Sequence, residues 1–237
     1  PVRVGFSVAD LGAGLYTVIG ILAALRERMV SGAGQYLDVS MLDTQIALME
    51  NAYTRYLATG EVPQPMGSRH PVITPFQAFP SRDGYLVLAM GTDEQWQSFT
   101  RHVGRPELGE DPRFGTVPAR TAHREALEAI LREITRTKTT AEWLATLEPI
   151  GIPCGPINTI PQVVADPHVQ ARRMFTEVEH RGVGRVRVVA PPLKFSRTPA
   201  AVRTSCPELG EDTEEVLRDL LGIPASEVAR LRREGVI

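Results

Sequence analysis

Ser7-Val8-Ala9-Asp10-Leu11-Gly12-Ala13-Gly14-Leu15 places a carboxylate three residues after a hydroxyl and directly ahead of a long apolar run. Serine at N-cap with an acid three positions on is a helix-start pattern, and the acid gains from the positive end of the helix dipole. Apolar spacing continues through Leu25, so the stretch predicts a helix from Ser7 to about Met29, stopped by Ser31-Gly32-Ala33-Gly34. Gln35 to Val39 alternates as a short strand with Tyr36 and Asp38 on one face. Ser40-Met41-Leu42-Asp43 repeats the capping pattern and predicts a second helix to about Leu57, ended by Thr59-Gly60.

Outward from these helices the composition changes. Glu61 to Pro75 is rich in proline and glycine, as in a linker or an ordered loop, and marks the expected domain boundary. Phe76 to Phe79 and Tyr85 to Met90 flank Ser81-Arg82-Asp83-Gly84, a hairpin pattern. Helices are predicted over Thr92 to Val103, with Thr92 and Gln95 as a capping box, then Ala119 to Arg136 and Thr140 to Glu148. Ile152-Pro153-Cys154-Gly155-Pro156 reads as a rigid elbow. Short helices at Ile160 to Ala165 and His168 to Arg173 precede a second hairpin, Thr176 to His180 with Arg185 to Val189. Asp212 to Leu221 and Ala225 to Arg233 close the chain as helices broken by Gly222-Ile223-Pro224. Without a clean βαβαβ repeat, a self-contained doubly wound domain is not expected.

The 237 residues, 43% hydrophobic and 23% charged with a formal net charge of -2, fit one or two globular domains. A near-neutral balance offers no general attraction to nucleic acid or an anionic membrane. The uncharged run Leu11 to Leu25 falls short of the roughly 20 residues that cross a bilayer, so no spanning helix is expected. Cys154 and Cys206 are too few for a disulfide scaffold, and a reducing, cytoplasmic setting is the default expectation. Pro1 stands where a methionine would begin a reading frame, and a helix starts almost at once, which reads as the middle of a longer protein.

Among candidate chemical groups, Asp10 lies among small residues with the next charge at Arg26, so it either caps its helix with Ser7 or is reachable by a ligand approaching past glycine. Gly67-Ser68-Arg69-His70 offers backbone donors, a hydroxyl, a guanidinium and an imidazole suited to holding a carboxylate, or is a solvated linker. His102, His123, His168 and His180 have no i, i+4 partners for a metal, and no metal is expected. Cys154 is hemmed by prolines with no nearby histidine to activate it. Arginines far outnumber Lys138 and Lys194 but are dispersed among acids, a pattern of solvated faces.

Val8-Ala9-Asp10-Leu11-Gly12-Ala13-Gly14-Leu15, Gly20 to Leu25, Gly32-Ala33-Gly34-Gln35 and Asp38-Val39-Ser40-Met41-Leu42 together resemble the class III (CaiB/BaiF) CoA-transferase family. The resemblance runs on through Gly67-Ser68-Arg69-His70-Pro71, Thr74 to Phe79, Asp83-Gly84-Tyr85, Gly151 to Asn158 and Leu209 to Leu217. It implies an α/β fold: an interlocked homodimer whose subunits each have a Rossmann-like large domain and an α+β small domain. This chain resembles the C-terminal part of it, from the active-site aspartate onward. On that basis residues 1–58 form a helical part of the large domain, 59–65 a linker, 66–190 the small domain and 191–237 a return to the large domain. The N-terminal portion that grips CoA would lie outside this chain.

The resemblance implies Asp10 as the catalytic residue, Gly67, Ser68, Arg69 and His70 as substrate-binding residues, and coenzyme A, as acyl-CoA, as the cofactor-like substrate. The implied activity is CoA transfer between an acyl-CoA and a free carboxylic acid through a covalent aspartyl intermediate. Two alternatives stand beside it. One is an α-methylacyl-CoA racemase using the same aspartate as acid and base with a histidine from upstream. The other is a catalytically silent fragment serving in binding or dimerisation. The loop at Gly67 to His70 lacks the consecutive glycines of the formyl-CoA transferase branch, and so looks more like branches acting on larger dicarboxylates or carnitine-like acids. The expected partners are small-molecule acids and acyl-CoA, with no nucleic acid and no membrane.

Overall fold

A computed structural model describes residues 3–237. The chain divides into two compact units, Pro1–Gly155 and Pro156–Ile237. This division differs from the expected segments, because the second hairpin, placed with the small domain at 66–190, belongs to the second unit.

Helix α1 spans Val8–Ser31 and ends where Gly32, at φ 76°, turns the chain left-handed with its N–H on the Arg28 carbonyl. The Ser7 cap is not formed: its φ and ψ are -79° and 77°, and its hydroxyl accepts no N–H. Ser40, in extended conformation, does accept the Asp43 N–H and opens α2 at Met41–Leu48. The second helix is interrupted at Met49, whose φ of -101° and ψ of 23° break it into α2 and α3, Glu50–Thr59. Gln35 to Val39 is not a strand, since no partner strand hydrogen-bonds to it among the described residues. Instead Leu37 lies over Gly20, where a Cβ would come 2.8 Å from Leu37 Cδ2. Against the expectation of no spanning helix, α1 extends past both charged ends of the uncharged run and is long and apolar enough to cross a membrane by length and composition. Its use of Gly12 and Gly20 to seat Thr44, Leu48 and Leu37 is the packing of a helix against protein.

From Phe76 the chain builds the main core. Strands β1 (Phe76–Pro80) and β2 (Tyr85–Ala89) pair antiparallel, with Phe79 opposite Leu86 and Pro80 opposite Tyr85 around the Asp83-Gly84 turn. Helices α4 (Asp93–His102), α5 (Glu107–Glu110), α6 (Val117–Ala122), α7 (Arg124–Thr135) and α8 (Thr140–Leu147) follow. Capping boxes at Thr92/Gln95 and Thr139/Glu142 start α4 and α8. The expected helix Ala119 to Arg136 is two, separated at His123 with φ of -110° and ψ of 29°. The elbow at Pro153 continues into a third strand, β3 (Cys154–Pro156), in the order β1-β2-β3, and the Pro153 carbonyl accepts the Ala89 N–H at 3.0 Å.

Phe79, Leu86, Leu88, Met90, Trp96, Phe99, Leu127, Leu131 and Leu147 are sealed from solvent between these strands and helices. Burying each such side chain stabilises by about 1.5–3 kcal/mol. The indole N–H groups are not left unpaired: Trp96 donates to the Leu108 carbonyl and Trp143 to that of Thr135.

The second unit holds α9 (Ile160–Ala165), α10 (Pro167–Ala171) and the hairpin of β4 (Phe175–His180) and β5 (Gly184–Val189), in which Glu177 and Glu179 face Arg187 and Arg185. A short α11 (Thr213–Glu215) runs into a π turn at Val216–Leu220, and α12 spans Ala225–Arg233.

Candidate active site

Asp10 occupies the first turn of α1 with an exposed side chain. Because Ser7 does not cap, the expected Ser7–Asp10 box is absent, and among the described residues the Asp10 carboxylate accepts no hydrogen bond and joins no ion pair. It stands at the N-terminal end of α1, a helix of 24 residues. The neighbouring glycines divide their roles. Gly12 is buried under α2, where a Cβ would lie 2.8 Å from Thr44 Cγ2 and 3.1 Å from Leu48 Cδ1. At Gly14, one helical turn beyond Asp10 and on its side of the helix, an added Cβ would meet nothing within 4 Å outside the helix's own backbone. Gly12 therefore sets the approach of two helices, whereas Gly14 lies on an exposed stretch of α1.

The Gly67–His70 loop is fastened to the core through its side chains, while Gly67 and Ser68 stay exposed. Gly67 turns at φ 65°, a conformation that favours glycine. Ser68 Oγ accepts the Ala78 N–H at 3.3 Å. Arg69 grips Glu128 with Nε and Nη2, both at 2.7 Å. The His70 ring stacks on Phe76 with 5.1 Å between centroids, and its Nδ1 accepts the N–H groups of Val72 and Ile73. Burial by itself would push the Glu128 carboxyl up, but the hydrogen bonds and charge of Arg69 outweigh it and hold the group below the usual carboxylate range. Hydrogen bonding to Glu128 raises Arg69 in turn.

The chain thus brings Ser68, Arg69 and His70 together on the β1 side of the core, whereas no hydrogen bond or ion pair links Asp10 to them among the described residues. Burial, followed by the charge of Glu148, pushes the Cys154 thiol up, away from the thiolate a nucleophile needs. Glu128 escaped the sequence reading, although its place beside Leu127 and Leu131 on the buried stripe of α7 is a signal that could have found it. Arg120 is the other: fully buried, it donates to the carbonyls of Thr74 and Phe114 and to Asp93, fixing the segment just after the loop.

Residues 1–213 match the profile of CoA-transferase family III, so the chain belongs to that family. It is 36% identical over 220 residues to the succinate–glutarate CoA-transferase of Agrobacterium fabrum, covering 93% of this chain and 55% of that protein. With the succinyl-CoA:glutarate CoA-transferase of Homo sapiens it shares 31% identity over 237 residues, 100% of this chain and 54% of the human protein. Among solved structures, a CaiB/BaiF family protein from Brucella suis superimposes with a TM-score of 0.76 at 37% identity, over 93% of this chain and 57% of that one. The fold is the CaiB/BaiF α/β fold, and the chain spans about half the length of the curated relatives it matches.

Proposed function

We propose that the protein containing this chain moves CoA between an acyl-CoA thioester and a free carboxylic acid through a covalent intermediate on Asp10. The observation that carries this is the exposed Asp10 carboxylate, without a side-chain partner at a helix N-terminus and with open space along the helix at Gly14.

In the first step a carboxylate oxygen of Asp10 attacks the thioester carbonyl, forming a mixed anhydride and releasing the CoA thiolate. The thiolate attacks the aspartyl carbonyl, giving an aspartyl-CoA thioester and freeing the donor acid. The acceptor carboxylate attacks that thioester and expels the thiolate, which then takes the acceptor's acyl group and restores Asp10. Each exchange conserves the activated acyl bond, provided water is kept from the anhydride. The names of the relatives, with succinate and glutarate in them, support a dicarboxylic acid as acceptor, and the loop without consecutive glycines agrees with an acid larger than formate. The exposed apolar residues Leu11, Leu15, Ile19 and Leu22 of α1 support its burial by the rest of the protein and a second copy in a homodimer.

Incubating the whole protein with acyl-CoA and hydroxylamine tests this reading. A hydroxamate at Asp10 is expected, and Asp10→Ala should lower transfer by about 10⁴-fold or more. Exchange of the substrate α-proton with deuterated water, without a hydroxamate, would identify a racemase instead.

A further inference from the structure

We propose that Glu128 is a positioning residue: by gripping Arg69 it holds the adjacent N–H groups of Gly67 and Ser68 as the donors for a substrate carboxylate. This rests on the reading of the loop as part of the acyl-transfer site and adds the donors and the residue that fixes them.

Within the loop the Arg69 N–H goes to the Met66 carbonyl and that of His70 to the Phe76 carbonyl. The N–H groups of Gly67 and Ser68 have no hydrogen-bond partner among the described residues. Two successive free amides at a left-handed turn form a concave anion-binding arrangement. The side chains of Ser68, Arg69 and His70 are all turned to fastening the loop, which leaves the main chain to meet a ligand. Of these fastenings, the Arg69 pair alone runs to a helix of the core, and its acid is 3% exposed. A buried ion pair is weak evidence of stabilisation, since an apolar residue beside Leu127 and Leu131 would pack there as well. Glu128 is better explained by what it holds. Gln77 and Arg132 complete its surroundings, so the carboxylate is fixed from three sides.

The test uses the full-length protein carrying Glu128→Gln and, separately, Arg69→Gln with Glu128→Gln, which removes both charges and avoids an unpaired arginine. Both variants should raise KM for the acceptor acid about tenfold while changing kcat much less. Amide hydrogen exchange over Gly67 to His70 should accelerate in both, with exchange in α4 and α8 unchanged. An unchanged acceptor KM in the double variant overturns the proposal, whatever happens to the exchange. Failure of the parent protein to form the hydroxamate overturns the acyl-transfer reading beneath it, a separate and recognisable result.

Discussion

Gly12 and Thr44 are in contact so close that a single methyl group on the glycine would sit 2.8 Å from Thr44 Cγ2. Thr44 is itself buried and β-branched, so it has little freedom to yield. Gly12→Ala should therefore separate α1 from α2 and cost about 1–3 kcal/mol, read as a lower melting temperature. Gly14→Ala meets nothing and should stabilise by up to about 1 kcal/mol through helix propensity. In the whole protein it should nonetheless slow acyl transfer, because it fills the space beside Asp10. A Gly14→Ala enzyme with parental turnover would remove that space from the active site.

Two serines that look alike in sequence should behave differently. Ser40→Ala removes an acceptor for the Asp43 N–H and should cost about 1 kcal/mol. Ser7→Ala removes no cap and should leave the urea midpoint unchanged. Equal losses at the two sites would mean that Ser7 caps in solution.

Arg120 supplies donors to two backbone carbonyls and to Asp93 from a fully buried position. Burial pushes its pKa down, the hydrogen bonds and charge of Asp93 push it up, and the net direction is down. Arg120→Met should lower stability by about 3–5 kcal/mol by orphaning these partners, measured by urea unfolding. Asp93→Asn should be milder, since the Asp93 side chain is half exposed and solvent can replace what is lost.

Acid should loosen the loop in a predictable direction. Glu128 titrates lower in the folded protein than in the unfolded chain, so its contribution is fully present above the ordinary carboxylate range, begins to decline within it, and is gone once pH has fallen through the lower value of the folded state. Arg69 and Arg132 both face it, and the hydrogen bond to Glu128 raises Arg69 further. Unfolding free energy should thus decline below about pH 5 in the parent, and more shallowly in Glu128→Gln. Parallel curves for the two proteins would show that Glu128 contributes nothing to the acid response.

Local patterns were the legible part of this fold. The Thr92/Gln95 box and the Asp83-Gly84 turn are complete within a few residues, and both form as read. Asp83 also shows where local reading stops: it accepts the N–H of Thr140, a partner far along the chain that no spacing could announce. The strand expected at Gln35 to Val39 alternates correctly, but a strand exists only with a neighbour to pair with. At the candidate site, Asp10 was singled out as catalytic only through family resemblance, and the structure adds that its side chain is exposed in the first turn of α1. The bond from Arg69 to Glu128 was not, because it depends on packing the loop against α7.

Strand β3 brings a temporal order to the fold. Its neighbour β2 ends at Ala89, and every helix of the main core lies between that residue and Pro153, whose carbonyl takes the Ala89 N–H. During synthesis the two-stranded hairpin and its covering helices therefore emerge while the outer side of β2 is still unpaired, and the sheet closes only when the last piece arrives across a long loop. A ribosome halted before Pro153 would expose a bare apolar strand edge, the surface most prone to recruit another nascent chain.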